Sequence, residues 1–208
     1  MEETAEEIIL ESERLILRPP TLDDIEVIVA LADNPRVAEN LATLPSPYTA
    51  ADALAWIEGD QEADRHPVRF ALFDKSDQTF VGAAGLGRAE EGGLEIGYWI
   101  GEPFWSNGLA TEAARAVIDF GFGQLGLSAI WGRCRIGNHG SRRVLVKCGF
   151  QQAGPGMAAS RFHGGSVPVD RFLLEHGIWT SLRSLAAKSR RETDDDTDDS
   201  DGVMRIAS

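Results

Sequence analysis

One segment constrains the fold more than any other: Leu94–Phe122, LEIGYWIGEPFWSNGLATEAARAVIDFGF. It opens as a strand, closes through a short turn at Ser106-Asn107-Gly108, and continues as a helix from Gly108 to Gln124. Leu109, Ala113, Ala116, Val117 and Phe120 fall on one apolar stripe of that helix. The first turn of a helix presents backbone N–H groups without intrahelical partners, backed by the positive end of the helix dipole. Gly108 has no side chain and Ala110 a small one, so an anion can approach that backbone closely. Spacing alone leaves two readings open, a phosphate or pyrophosphate seat and an ordinary tight turn.

The flanking pattern extends this unit into a domain. Two strands precede it, Val68–Asp74 and Thr79–Leu86, joined by the turn residues KSDQ, and the turn EEGG leads into Leu94–Gly101. Three consecutive strands predict an antiparallel meander. A further strand, Ala129–Arg133, follows the long helix and predicts a parallel crossover. Arg14–Pro19 alternates like a strand. Thr21 and Asp24 form a capping-box pattern that opens a helix reaching about Ala32. A helix is expected over Thr49–Asp64, closed by Pro67, after the Pro-punctuated stretch Asn34–Pro47. Asn138 opens another that ends at Gly149, and closing strands are expected near Gln151–Ala158 and Val169–Glu175. The fold class is α/β, a mixed and mostly antiparallel sheet flanked by helices. Residues 1–13 read as an acidic lead-in, 14–180 as the domain, and 181–208 as an acidic tail too polar to pack.

Charge distribution sharpens the functional reading. The formal charge of −13 sits mostly at the two ends; residues 14–189 hold 17 basic and 20 acidic side chains. A nucleic-acid binder would concentrate basic surplus on its domain, so that class is excluded as a partner. No apolar run reaches the ~18–20 residues of a membrane helix, which gives no membrane partner. Cys134 and Cys148 form no CxxC pair, and the acidic start lacks a signal-peptide pattern, so a cytoplasmic setting is expected. Between Trp131 and Phe150, however, stand Arg133, Arg135, Arg142, Arg143 and Lys147 with no acid among them. Such a run beside the turn suits a small polyanionic ligand, or else forms a solvated helix face.

Two motifs in order, EIGYWIGEPFWSNGLATEA and NHGSRRVLVKCGF, resemble the acetyl-CoA-binding core of the GNAT superfamily of N-acetyltransferases. The opening ERLILRPPTLDD resembles the branch of RimJ- and RimL-type ribosomal-protein N-terminal acetyltransferases, and the resemblance spans Ser12 to Trp179. It implies a sheet splayed at the acetyl-CoA site. It also implies that Ser106, Asn107, Gly108, Leu109, Ala110 and Thr111 hold the CoA pyrophosphate. Tyr98, Trp99 and Ile100 match the strand that lies along the pantetheine arm. Asn138 and Ser141 match the residues that contact the cofactor near its sulfur. Two positions depart from the pattern: Trp105 stands where the wider family has Gln or Arg, and Leu145 where it has a general-acid tyrosine.

The reaction so implied is acetyl transfer from acetyl-CoA to a primary amine, with a protein N-terminus as the acceptor, by direct attack on the thioester. A small-molecule amine acceptor (polyamine, antibiotic or amino acid) and a non-catalytic CoA-binding protein are the rival readings. A base is needed because an amine is mostly protonated at neutral pH. Glu95, the lone carboxylate in the apolar strand LEIGYWI, is the candidate; burial would raise its pKa, whereas on an alternating strand it would face solvent. With Leu145 unable to donate, Ser141 is the donor left near the sulfur. Cys134, His139 and Cys148 are too loosely spaced for a metal, and the order of Gly82, Gly85 and Gly87 does not fit a dinucleotide loop. Substrate specificity is expected in Arg36–Tyr48 and in the irregular segment Ala158–Val167. The chain is expected to act as a monomer or homodimer.

Overall fold

The computed structural model describes residues 8–59 and 68–198, with side chains of the last helix described as far as residue 188. An eight-stranded sheet forms its centre. The strands are β1 (Leu10–Glu11), β2 (Leu15–Arg18), β3 (Val68–Asp74), β4 (Phe80–Arg88), β5 (Leu94–Ile100), β6 (Ala129–Arg135), β7 (Gln151–Ser160) and β8 (Gly165–Glu175). Their order across the sheet is β1-β2-β3-β4-β5-β6-β8-β7. The expected meander is β3-β4-β5, antiparallel throughout. Among the described residues β5 and β6 form the one parallel pair, as the helical crossover between them demands.

Helices cover both faces. α1 (Ile25–Ala32), α2 (Pro35–Ala38) and α3 (Ala50–Glu58) pack Ile28, Ala32, Val37 and Ala53 against Ala71, Phe73 and Phe80. α4 (Leu109–Gly123) and α5 (His139–Lys147) cover the opposite face, over Phe70, Leu72, Leu86, Ile96 and Ile130. The stripe read from the sequence holds: Leu109, Ala113, Val117 and Phe120 are buried. The Thr21–Asp24 capping box is present and opens a 3₁₀ turn, Leu22–Asp24, that leads directly into α1. In β4, a Cβ on Gly85 would lie 2.1 Å from the Val68 carbonyl oxygen, so this position lets two strands approach closely.

The structure corrects three boundaries. The lead-in contributes a strand, since Leu10–Glu11 pairs with Leu17–Ile16 on the sheet edge. The segment Ala158–Val167 is a regular hairpin, with β7 and β8 paired from Gln151 to Gly165. Backbone pairing with a full-length neighbour overrides the weak propensity of its glycines and serines. The last helix, α6 (His176–Asp198), runs on through residues expected to be unstructured. No Pro or Gly interrupts the chain between Gly177 and Asp198, and Phe122, His176 and Trp179 stack at the helix start. The expected extension of α3 to Asp64 and the final residues of the tail lie outside the described residues.

Candidate active site

β5 and β6 part company two residues into their pairing. Leu94 pairs with Ile130 and Glu95 with Trp131. Beyond that point β5 continues only with β4, to Ile100, and β6 only with β8, to Arg135. The facing edges diverge and open a cleft of about 780 Å³. Its walls are β5 from Glu95 to Ile100, the first turn of α4, the first turn of α5, the loop Glu39–Thr43, and the β7–β8 hairpin.

At one end lies the turn Ser106-Asn107-Gly108. Ser106 (φ 64°) and Gly108 (φ 81°) are both left-handed, a conformation open to glycine and strained for serine. This geometry swings the chain into α4 and leaves Gly108, Leu109, Ala110 and Thr111 on the cleft wall with Ser106. Asn107 is the predicted residue that does not line the cleft. Its carbonyl oxygen turns away to accept a hydrogen bond from Arg14 (3.0 Å). Arg14 also bonds Glu112 of α4, whose carboxylate receives the Arg14 main-chain N–H (2.6 Å) and the Ser12 hydroxyl (2.8 Å) as well. Burial works against this carboxylate, but those hydrogen bonds hold its pKa below the usual glutamate value.

The two departures from the family pattern have structural accounts. Trp105 folds back so that its indole N–H donates to the Ile100 carbonyl oxygen (2.6 Å), closing the end of β5. The Arg36 guanidinium lies 5.3 Å from its ring and pairs with Glu102. Leu145 is fully buried in the core. A different hydroxyl pair stands at the cleft instead: Tyr98 Oη of β5 lies 2.9 Å from Ser141 Oγ. Asn138 caps α5 by accepting the Ser141 N–H through its side-chain oxygen (2.9 Å), as its position at the helix start predicted. Tyr98, Trp99, Ile100, Asn138 and Ser141 all line the cleft.

Glu95 faces inward rather than to solvent; only 16% of its side chain is exposed. Burial raises its carboxyl pKa to about 7, with Glu91 and Glu90 adding to the effect and Arg133 opposing it. Arg133 bridges the two acids, its Nε 3.0 Å from Glu95 and its terminal nitrogen 3.0 Å from Glu90.

The basic run divides accordingly. Arg133 serves Glu95, Arg135 approaches Glu39 (3.6 Å), and Arg142 pairs with the buried Asp170. Arg143 and Lys147, one helical turn apart on α5, line the cleft, and among the described residues neither forms an ion pair. The polyanion expectation therefore narrows from five cations to two. Among the described residues no three metal-ligating side chains cluster.

Residues 14–151 match the family model described as an acetyltransferase (GNAT) domain. The chain belongs to the GNAT family of N-acetyltransferases. Its relatives include the uncharacterised N-acetyltransferase YoaA of Bacillus subtilis, 31% identical over 153 residues that cover 70% of this chain and 84% of the relative. Two solved structures share its fold. One is Mycobacterium smegmatis RimJ in complex with a CoA-disulfide (TM-score 0.66, 21% identity, 81% of this chain and 86% of that one). The other is a putative ribosomal-protein-serine acetyltransferase from Vibrio cholerae (TM-score 0.62, 24% identity, 81% and 97%). Like other GNAT enzymes, this one is an acyltransferase that takes its acetyl group from acetyl-CoA.

Sequence reasoning missed three contributors, Arg14 with Glu112, Glu90, and the hydroxyl of Tyr98, whereas the loop Glu39–Thr43 falls within the stretch Arg36–Tyr48 where specificity is expected. The loop is tied across the cleft by the Arg161 N–H to the Ala42 carbonyl (3.0 Å). These contacts join residues 43 to 119 positions apart, and no local pattern announces them.

Proposed function

We propose that this acetyltransferase acts on a protein N-terminal α-amino group by direct attack on the acetyl-CoA thioester. The observation that carries the reading is Glu95, a buried carboxylate on the wall of the strand gap with a pKa near 7. An α-amino group titrates at about 7.7–8.0, within one unit of this base, whereas a lysine amine at about 10.4 would face a much larger mismatch. The hairpin and the loop Glu39–Thr43 wall the same cleft as Glu95, and an extended peptide would be met by their side chains there.

In this scheme, Ser106, Gly108, Leu109, Ala110 and Thr111 receive the pyrophosphate at the α4 N-terminus, and Arg143 and Lys147 add positive charge beside it. Asn107 supports them from behind through Arg14. The unpaired edge of β5 over Tyr98, Trp99 and Ile100 lies along the pantetheine and polarises the thioester carbonyl. Glu95 takes the proton from the ammonium and passes it to water, and the amine nitrogen bonds the carbonyl carbon. The C–S bond breaks with its electron pair on sulfur, and the second nitrogen proton leaves to Glu95 to give the neutral amide. The hydroxyl of Ser141 donates a hydrogen bond to the departing thiolate.

Thiol release from acetyl-CoA, measured with a panel of N-terminally free peptides and a panel of polyamines, aminoglycosides and amino acids, tests the reading. Turnover on peptides with free α-amino groups supports it. Turnover confined to the small amines replaces it with a small-molecule acceptor. Tight acetyl-CoA binding without release on either panel points to a non-catalytic CoA-binding protein.

A further inference from the structure

The leaving thiolate needs a hydrogen-bond donor, and the residue at the usual tyrosine position, Leu145, is apolar and fully buried. Ser141 is the donor nearest that role by sequence, but a serine hydroxyl has a single hydrogen. Whether it reaches sulfur depends on what else claims it.

The surroundings of Ser141 answer this. Tyr98 Oη lies 2.9 Å from Ser141 Oγ and 3.2 Å from the Ser141 carbonyl oxygen. The 2.9 Å contact between the two hydroxyls can be made in two directions. In the first, Ser141 donates to Tyr98, and Tyr98 donates to the Ser141 carbonyl; the pair is closed and offers nothing to the cleft. In the second, Tyr98 donates to Ser141 Oγ, which frees the serine hydrogen to point into the cleft. The exchange needs rotation of two hydroxyl hydrogens and no movement of heavy atoms. Ser141 itself is fixed, because its N–H is held by the Asn138 cap at 2.9 Å. Tyr98 is fixed too, on a strand paired with β4 from Leu94 to Ile100.

From this geometry we infer that Tyr98 is a positioning residue for the acetyl transfer, its hydroxyl turning the Ser141 hydroxyl toward the departing sulfur. The inference rests on the reaction proposed above. No proton leaves either hydroxyl: the electron pair of the broken C–S bond resides on sulfur, the Ser141 hydrogen bond stabilises it, and the thiolate later takes a proton from water. Burial keeps the phenol protonated, far above its ordinary range, so Tyr98 persists as a donor. The roles that a tyrosine on α5 would combine are thus divided between a strand residue and a helix residue.

The test is a mutant cycle on the full chain with acetyl-CoA and a peptide that the enzyme turns over. Tyr98→Phe removes the hydroxyl and keeps the ring; it is expected to lower kcat about tenfold or more, with acetyl-CoA affinity within about twofold of wild type. Ser141→Ala is expected to lower kcat by a similar or larger factor, and the double variant to be no slower than Ser141→Ala alone. Ser141→Thr keeps a hydroxyl, and should restore most of the lost rate when Tyr98 is present and little when it is Phe. A wild-type kcat for Tyr98→Phe, multiplicative losses in the double variant, or equal rescue by Ser141→Thr in both backgrounds would overturn the inference. Absence of turnover in the wild-type chain on every acceptor would instead remove the underlying reaction.

Discussion

The two ends of the cleft are made in different ways. In the proposed reading, the cofactor end is walled by two short stretches of chain, 96–111 and 138–147, and its pyrophosphate seat is backbone N–H at the start of α4. At the acceptor end, the wall is assembled from Glu39–Thr43, Arg133 and Arg135 of β6, and the hairpin Ala158–Val169. Its charged groups are set against one another: Arg133 between Glu90 and Glu95, Arg135 toward Glu39. A ligand common to a whole family can be held by local backbone geometry. An acceptor particular to one enzyme is met by side chains gathered from distant parts of the sequence.

Substitutions can break this division. The largest effect is expected at the acceptor end: Glu95→Gln should lower kcat by about 10²–10⁴-fold, while calorimetric acetyl-CoA affinity stays near wild type. Loss of affinity instead would mean the two ends are not separable. At the cofactor end, Ala110→Glu places a carboxylate where the pyrophosphate should sit, and acetyl-CoA affinity should fall about 100-fold, or ~2.7 kcal/mol. Next in size is Arg142→Ala, which strands the buried Asp170. Denaturant titration should show about 2–3 kcal/mol less stability, yet acetyl-CoA affinity close to wild type, because Arg142 is not among the cations left for the cofactor. Lys147→Ala should show the converse, full stability with acetyl-CoA binding about fivefold weaker at low salt and less so at high salt.

The smallest effect concerns pH. Glu95 acts as a base only when ionised, so kcat/KM should fall as pH drops below about 7. Arg133 lowers that pKa, and Glu90 and Glu91 raise it. Glu90→Gln removes one acid and leaves the whole of Arg133 to Glu95, so the acid limb should move to lower pH. An unmoved limb would separate Glu95 from the observed titration. Stability should follow the opposite course. Because the folded-state pKa lies above the ordinary value of 4.5, Glu95 destabilises the fold progressively as pH rises from about 4.5 through 7. Glu95→Gln should accordingly raise Tm at pH 8 and change it little at pH 4, so the variant that loses the most activity gains stability.

The same division governs what the sequence disclosed. The strand–turn–helix from Leu94 to Gln124 is legible because apolar periodicity and the small residues Gly108 and Ala110 are local features, whereas the left-handed backbone of Ser106 has no signal in its residue type. The crossover announces the parallel pairing of β5 with β6, whereas their divergence is implied only by the family resemblance. The opposite roles of Arg133 and Arg143 were not legible, although both stand in one basic run. Strand pairing brings Arg133 back beside Glu95 and Glu90, whereas α5 presents Arg143 to the cleft. The start of β8, Gly165–Pro168, is not legible as strand because its glycine, serine and proline signal a loop, and only pairing with β7 extends the strand through it.

The Arg14–Glu112 pair carries one more consequence. It joins positions 98 residues apart, so the turn after β5 gains its brace only when the segment around Arg14 docks on a helix made much later. Contacts so distant in sequence close late, after the loop entropy between them has been overcome. The strands β1 and β2 and the seat at the start of α4 should therefore mature together. Hydrogen exchange during refolding should show amides near Ser12 and Thr111 gaining protection in the same phase, and a chain begun at residue 15 should fold with that seat loosened.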